Sequence, residues 1–132
     1  MSPAEGKRAP PAIQRIVKAV LQYDSMMGVQ IAPANKYNRA VEMADGRPPV
    51  ATVRKFLLAY WTDLEVGKPD PEVRNYSKHL YVMKPVVKPR HCLYVKFTLK
   101  IYEDNEAASH LTIVRFHPAI GSEPIDRIPE VL

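Results

Sequence analysis

The sequence predicts an α+β fold in which three N-terminal helices pack on one face of a small antiparallel sheet. Two observations predict this class. Apolar residues recur at helical spacing in the first half of the chain, and they alternate with polar residues in the second half. Helices followed along the chain by strands are typical of α+β domains. The length of 132 residues suits one domain over residues 10–132, and the small, polar residues 1–9 are expected to form a flexible tail.

The first helix is expected directly after Pro10 and Pro11, since proline is favoured at the start of a helix. Its apolar positions have the spacing of an amphipathic helix: Ile13, Ile16, Val17, Val20 and Leu21. Beyond this helix, residues 29–31 suit a short extended segment.

Two further helices are expected before the strands begin. Asn35 is expected to cap a second helix over residues 36–44, which Asp45-Gly46 would end. The third and clearest helix begins at Pro48-Pro49. Its broad apolar face comprises Val50, Val53, Phe56, Leu57, Tyr60, Trp61 and Leu64.

The second half of the chain predicts strands. Residues 92–102 alternate strictly, with Leu93, Val95, Phe97, Leu99 and Ile101 on one side and Tyr94, Lys96, Thr98, Lys100 and Tyr102 on the other. Residues 110–117 form a second strand, and the two are expected to pair as an antiparallel hairpin with a longer loop. A shorter strand is expected at 80–83, and the proline-containing tail from Gly121 is expected to be an irregular arm.

The closing strand of this hairpin has apolar residues on both faces. Leu111 and Ile113 share their side with Arg115 and His117, whereas Val114 and Phe116 point to the opposite side. We expect Val114 and Phe116 to join the helix-side core. This choice leaves Arg115 and His117 at the open end of the sheet, beside Tyr94 and Lys96.

The positive charge of the chain is concentrated in one segment. Residues 74–100 contain seven lysines and arginines and no acidic residue, so this segment carries a charge of +7. The rest of the chain holds 12 basic and 14 acidic residues, and the net charge is +5. A local excess of this kind is typical of a surface that binds polyanions. A solvated basic face and a docking patch for an acidic protein are the alternatives.

Several classes of protein are disfavoured. No apolar run reaches the roughly 20 residues of a transmembrane helix, and the N-terminus lacks the apolar stretch of a secretory signal. We therefore expect a cytoplasmic protein without membrane contact. The single cysteine, Cys92, excludes an intramolecular disulfide and a multi-cysteine zinc site.

Several kinds of site are disfavoured as well. The chain has no glycine-rich phosphate loop and no His-Glu-x-x-His motif, so we expect neither a metal nor a cofactor. Acidic residues such as Asp63 and Glu65 lie in a polar stretch and are expected to be solvated, which disfavours a carboxylate-based hydrolase. His91 precedes Cys92, but neighbouring residues of a strand face opposite sides, which disfavours a catalytic thiol.

The remaining chemistry lies in Tyr, Lys, Arg and His residues around the predicted hairpin, and this set suits metal-independent RNA cleavage. In that reaction the RNA 2′-hydroxyl attacks its own phosphate, so the protein positions groups, stabilises added negative charge and protonates the leaving oxygen. Histidine has an unperturbed pKa of about 6.5 and can exchange the proton. Taken singly, His117 as a surface imidazole and Tyr94 as a half-buried sheet aromatic are the alternatives.

Two short segments carry a family resemblance. Residues 93–99 (LYVKFTL) contain a Tyr-x-Lys on a strand, and residues 112–117 (TIVRFH) close with an aromatic residue followed by a basic one. Val87-Lys88-Pro89 occupies the place of a hydrophobic-basic-proline turn. Over residues 76–118 the chain therefore resembles the MqsR-type mRNA interferases, which belong to the RelE-like ribonucleases of bacterial toxin–antitoxin pairs.

The resemblance implies a RelE-like ribonuclease architecture and an endoribonuclease toxin that cleaves mRNA without metal and is neutralised by an antitoxin protein. It gives active-site roles to Tyr94 and His117. Our predicted catalytic set is Tyr94, which would orient the substrate, Lys96 and Arg115 at the phosphate, and His117 as general acid or base. The residues expected to bind flanking RNA are Lys78, His79, Lys84, Lys88, Arg90 and Lys100. Two family positions differ here: its glutamine falls at Met83 or Lys84, and its early lysine at Lys68.

Two other functions stand beside this one as hypotheses. The first is a nucleic-acid-binding module without catalysis. The second is a protein-interaction or immunity-type domain that binds an acidic partner. Both would use the basic segment 74–100.

Overall fold

The computed structural model describes residues 7–22, 28–33, 35–60, 64–67, 80–102, 104–105 and 108–131. Within these ranges the fold is α+β, as predicted, with three helices and a mixed sheet of six strands. The helices are α1 (Pro11–Gln22), α2 (Ala40–Met43) and α3 (Pro49–Ala59). The strands are β1 (Val29–Ile31), β2 (Glu65–Val66), β3 (Leu80–Met83), β4 (Val86–Lys88), β5 (His91–Lys100) and β6 (His110–Pro118).

Helices α1 and α3 confirm the predicted starts. Both begin at the second proline of a Pro-Pro pair, where the missing N–H costs no helical hydrogen bond. Their buried residues are Ile16, Val17, Val20 and Leu21 in α1 and Val53, Phe56 and Leu57 in α3. Helix α3 ends at Ala59, earlier than predicted; Leu64 is fully buried outside the helix, and Trp61 lies outside the described residues.

The second helix is much shorter than predicted. It covers only Ala40–Met43, and Asn35 does not cap it. Instead, Asn35 Oδ1 accepts hydrogen bonds from the backbone N–H groups of Tyr37 (2.7 Å) and Asn38 (3.1 Å). Asparagine stabilises turns in this way as readily as it caps helices, so the same residue signal led to the wrong element.

The sheet has the strand order β1-β6-β5-β3-β2, and β4 pairs with β5 beside it. The predicted hairpin is confirmed as the antiparallel pair β5–β6, and the predicted strand 80–83 is β3. The prediction of an antiparallel sheet was wrong in one respect: β1 runs parallel to β6, so the sheet is mixed. Strand β1 also lies between α1 and α2, so the helices do not all precede the sheet.

A β-bulge in β6 decides which residues enter the core. Lys96 pairs with Arg115 but Phe97 pairs with Ile113, so Val114 is the extra residue. The bulge reverses the alternation, and Leu111, Ile113 and Phe116 therefore all pack in the helix-side core. The expectation for Phe116 is confirmed. The expectation for Val114 was wrong, because Val114 packs with Ala32 and Leu80 in a separate cluster.

The chain segments at both ends are attached to this body. Lys7–Ala9 run beside Leu64–Val66, with hydrogen bonds from Val66 N to Lys7 O (2.8 Å) and from Ala9 N to Leu64 O (2.6 Å). Residues 1–6 of the predicted tail lie outside the described residues. The segment 119–131 contains neither helix nor strand, as predicted, and it buries Ile128. Of the described helices, none has both the length and the apolar character needed to cross a bilayer.

Candidate functional site

The sheet face opposite the helices carries the polar side chains of the central hairpin. Leu93, Val95 and Phe97 of β5 lie in the helix-side core, so the alternate residues of β5 face away from the helices. Residues directly opposite in an antiparallel pair project to the same side, which assigns their partners in β6. We call this surface the outer face. Its hairpin residues are Tyr94, Lys96, Thr98, Lys100, His110, Thr112, Arg115 and His117.

Four of these residues form a compact block, which we call the quartet: Tyr94, Lys96, Arg115 and His117. Tyr94 lies opposite His117, and Lys96 lies opposite Arg115. The rings of Tyr94 and His117 stack with their centroids 5.3 Å apart and their planes at 21°. The structure thus brings together all four residues that the sequence predicts as catalytic.

The two imidazole nitrogens of His117 have different surroundings: Nδ1 makes a hydrogen bond, and Nε2 is buried. Nδ1 lies 2.8 Å from the carbonyl oxygen of Pro118, and since a carbonyl only accepts, Nδ1 carries a proton and donates it. Nε2 is buried and has no hydrogen-bond partner among the residues described. In its neutral form His117 therefore offers a lone pair at Nε2, and an unpaired buried nitrogen calls for a specific explanation such as a catalytic role.

Lys96 and Arg115 place two cationic side chains at one point of the outer face. Lys96 is only 4% exposed, in a position between Val82 of β3 and Arg115 of β6. Arg115 is half-buried, and its guanidinium carbon lies 4.1 Å from the centroid of the Tyr37 ring. Lysine is almost never fully buried without a specific role or partner. Charge in such a position acts in a lower effective dielectric than charge at the open surface.

Two outer-face residues were missed by the sequence reasoning. Tyr37 reaches Arg115 from the turn that Asn35 stabilises, and the Asn-x-x-Asn spacing was a signal for that turn. Glu65, expected to be solvated, is instead half-buried in β2 opposite Val82. Its Oε2 lies 3.2 Å from Lys84 Nζ. A strand of two residues has no readable period, so no local signal could have identified Glu65.

The residues predicted to bind flanking RNA do not form one patch. Lys84 is paired with Glu65, and Arg90 Nη1 lies 3.8 Å from Glu123 in the C-terminal segment. Lys88 is exposed near Arg90 in the β4–β5 hairpin. Lys100 lies at the far end of β5, 5.5 Å from the centroid of the Tyr102 ring. Lys78, His79 and the family-matched Lys68 lie outside the described residues.

Cys92 has the environment of an unreactive thiol. Its Sγ lies 3.6 Å from the carbonyl oxygen of Lys84. Burial raises the pKa of the thiol, and the nearby Lys84 ammonium offsets part of that rise. A raised pKa lowers the thiolate fraction near neutral pH, which argues against a nucleophilic role.

A cavity of about 250 Å³ lies away from the quartet, between the β4–β5 hairpin and the C-terminal segment. Its lining mixes basic, acidic and apolar residues, namely Val87, Lys88, His91, Pro124, Ile125, Asp126, Arg127 and Pro129. A second cavity of about 390 Å³ lies between α3 and the end of the C-terminal segment and is lined by Arg47, Pro48, Ala51, Thr52, Lys55, Pro129, Glu130 and Val131. Pockets for small-molecule ligands usually have about 300–1,000 Å³, so the second cavity is within this range and the first is slightly below it. Neither lining includes a quartet residue, so the quartet is separate from both cavities.

The part of the chain that the structure describes contains no group of three or more His, Cys, Asp or Glu side chains placed to hold a metal ion. Comparison of the chain with protein-family models, with curated proteins and with solved structures finds no significant match.

Proposed function

We propose that this chain is a metal-independent endoribonuclease with a RelE-like architecture, acting as the toxin of a toxin–antitoxin pair. The observation that carries the proposal is the quartet: a stacked Tyr94–His117 pair beside a Lys96–Arg115 pair, with His117 Nε2 lacking a partner. A proton acceptor next to two cations supplies a base for the 2′-hydroxyl and stabilisation of the phosphate charge, both of which RNA transesterification uses.

His117 would act at the RNA 2′-hydroxyl. With Nδ1 donating to Pro118 O, Nε2 accepts the hydroxyl proton while the 2′-oxygen forms its bond to phosphorus. The 5′-oxygen leaves and takes up a proton from solvent water, and His117 then returns its proton to solvent, which gives a 2′,3′-cyclic phosphate and a 5′-hydroxyl. Because Nε2 is buried, the hydroxyl reaches it only after a neighbouring side chain moves.

Arg115 and Lys96 would stabilise the charge that builds up on the phosphate. The guanidinium of Arg115 is planar and can bind two phosphate oxygens at once. Lys96, lying opposite Arg115 and nearly buried, adds a second positive charge in a setting where water screens it weakly. Tyr94 would hold the imidazole plane and limit its rotation.

The test is incubation of the purified protein with a long mRNA in the presence of a metal chelator. We expect cleavage that leaves cyclic phosphate ends, and a loss of about 10²- to 10⁴-fold in rate for His117→Ala. The matched control is His110→Ala, which removes an imidazole from the same strand and the same outer face, opposite Lys100 at its far end. If the wild type does not cleave, and His117→Ala and the wild type affect growing cells equally, the enzyme proposal fails.

The second candidate is a nucleic-acid-binding module without catalysis, and the contacts of the Tyr37 ring with Arg115 and Lys36 favour it, because neighbouring aromatic and cationic side chains suit unpaired bases and their phosphates. It predicts RNA binding without cleavage. The affinity should fall by about 0.7 log units per log unit of salt for each single-strand phosphate neutralised. An affinity that does not respond to salt would count against both nucleic-acid functions, whereas an acidic protein that co-purifies without nucleic acid would favour a protein-interaction domain.

A further inference from the structure

The turn formed by residues 35–38 is fastened to β6 on both sides of the bulge. Asn38 is 1% exposed, and its Nδ2 donates to the carbonyl oxygens of Ala32 and Ile113, each at 3.0 Å. On the other side of the bulge, Phe116 N donates to Tyr37 O at 2.8 Å. Since Ile113 and Phe116 flank Val114 and Arg115, this turn is held directly beside the quartet.

The Tyr37 side chain extends the quartet past β6. Its ring centroid lies 4.1 Å from the Arg115 guanidinium carbon and 4.7 Å from Lys36 Nζ. Lys36 is exposed and Tyr37 half-buried. Going across the strands, the outer face thus carries Tyr94 and Lys96 on β5, Arg115 and His117 on β6, and then Tyr37 with Lys36.

This order of aromatic and cationic groups matches the chemistry of single-stranded nucleic acid. An unpaired base has a free face that stacks on an aromatic ring, and its phosphates bind lysine and arginine. A base within a duplex has no free face to offer. Arg115 belongs to the quartet and also contacts the Tyr37 ring, so the quartet is continuous with Lys36 and Tyr37.

Building on the proposed function, we propose that Lys36 and Tyr37 form a subsite for an unpaired nucleotide adjacent to the phosphate that is cleaved. Tyr37 contacts the base and Lys36 the flanking phosphate, while the contact between Tyr37 and Arg115 fixes the guanidinium plane. The substrate is therefore single-stranded RNA, and duplex RNA does not use this subsite.

The backbone of Tyr37, not its side chain, makes the hydrogen bonds that hold the turn. The side chain can therefore be changed while the turn is kept. Tyr37→Ala removes the ring, Tyr37→Phe keeps it, and Lys36→Ala removes the ammonium and its aliphatic stem. Lys55→Ala, which removes an exposed lysine from α3, is the matched control for charge.

The experiment measures the affinity of each variant for a short single-stranded oligonucleotide with 2′-O-methyl groups, which binds but cannot be cleaved. We expect Tyr37→Ala to bind between about 5- and 100-fold more weakly than the wild type. Tyr37→Phe and Lys55→Ala should bind like the wild type. For Lys36→Ala, the slope of log affinity against log salt concentration should be shallower by about 0.7. The same oligonucleotide annealed to its complement should show no effect of Tyr37→Ala.

The outcomes separate this inference from the proposed function. If the wild type cleaves mRNA but Tyr37→Ala and Lys36→Ala both bind the oligonucleotide like the wild type, the subsite is refuted and the ribonuclease stands. If the wild type binds without cleaving and Tyr37→Ala weakens binding, the subsite is supported and catalysis is refuted. If the wild type does not bind the oligonucleotide, the subsite is refuted, and the ribonuclease is judged by mRNA cleavage alone.

Discussion

A single buried amide, that of Asn38, connects three segments of the chain. Its Nδ2 donates to Ala32 O and Ile113 O, and its own backbone lies in the turn next to Tyr37. If the amide were removed, the carbonyl oxygens of the buried residues Ala32 and Ile113 would both lose this donor, although Ile113 O would still accept from Ala32 N at 2.9 Å. Buried polar groups left without a partner cost more than the hydrogen bond itself contributed.

We therefore predict that Asn38→Ala lowers the free energy of unfolding by about 2–3 kcal/mol, from the loss of two hydrogen bonds to buried acceptors. Urea unfolding followed by circular dichroism measures this change. Asn105→Ala is the control, because Asn105 is exposed. An Asn38→Ala variant as stable as the wild type would show that the turn does not depend on this amide.

The Cys92 thiol provides a test of the local electrostatics. Because burial raises its pKa, the thiolate fraction at a given pH is smaller in the folded protein than in the unfolded chain. We predict that iodoacetamide alkylates Cys92 more slowly in the native protein than in urea, and that the native rate rises only at a more alkaline pH.

Lys84→Ala should slow native alkylation further, because the Lys84 charge lowers the pKa that burial raises. The folded protein keeps the thiol proton of Cys92 to higher pH than the unfolded chain does. The contribution of Cys92 to the free energy of unfolding is therefore fully present below the thiol pKa of the unfolded chain, and it is lost as the pH rises through the thiol pKa of the folded protein. Alkylation as fast in the native state as in urea would contradict the burial of this thiol.

At the scale of elements, strand β6 shows how far alternation can be interpreted. Strand β5 follows its sequence pattern from Leu93 to Lys100, with Leu93, Val95, Phe97 and Leu99 in the core. The prediction was wrong for Ile101, which lies beyond the end of the strand and is exposed. In β6 the bulge at Val114 changes parity, so Leu111 and Phe116 face the same side although they differ in parity. No residue type marks this bulge, since it depends on how β6 meets β5 and the turn at 35–38.

The expected extended segment at 29–31 is confirmed as β1 (Val29–Ile31), but its partner was not predicted, because it pairs with β6 about eighty positions later. Strand β2 was not predicted, since its two residues depend on pairing with β3. Strand β4 lies between Pro85 and Pro89, where the family resemblance indicated a turn at Val87-Lys88-Pro89 and not a strand.

Tyr94 and Lys96 were predictable because β5 has a clear period, and Arg115 and His117 were placed beside them by assigning Phe116 to the core. Tyr37 and Glu65 were not predictable, because tertiary contacts bring them to the outer face.

Phe116 tests the assignment of the bulge. It is fully buried against Phe56, with ring centroids 6.1 Å apart and planes at 64°. We predict that Phe116→Ala lowers the free energy of unfolding by about 3–5 kcal/mol. Ile120→Ala, a change at a fully exposed apolar residue just beyond β6, should have almost no effect. Equal effects of the two changes in chemical denaturation would contradict the core assignment of β6.

At the scale of the whole molecule, folding brings acidic residues from other segments next to the basic segment 74–100. Along the chain, residues 74–100 carry seven basic residues and no acidic one. In space, Glu65 from β2 pairs with Lys84, and Glu123 from the C-terminal segment pairs with both Arg90 and His91, the latter at 3.0 Å. Acidic residues from elsewhere therefore offset part of the positive charge, and the field at the outer face is weaker than the segment alone suggests.

Removing one of these acids should strengthen the interaction with a polyanion. Glu65→Gln keeps the size of the side chain, removes its charge and releases Lys84 on the outer face beside β5. We predict tighter binding to the uncleavable single-stranded oligonucleotide, and a salt dependence steeper by about 0.7 log units, since one more lysine neutralises a phosphate. Glu42→Gln changes the net charge by the same amount. Glu42 pairs with Arg39 and belongs to α2, whose Ala40 and Met43 pack in the helix-side core.

Glu42→Gln should therefore change the affinity only through net charge, and by much less, because exposed charges further apart than about 8 Å are largely screened at physiological salt. Binding titrations at several salt concentrations give both the affinity and its slope. If the two variants gain affinity equally, the polyanion responds to net charge alone and does not bind at the outer face. If only Glu65→Gln binds the oligonucleotide more tightly, the bound strand lies within reach of Lys84, on the same face as the quartet.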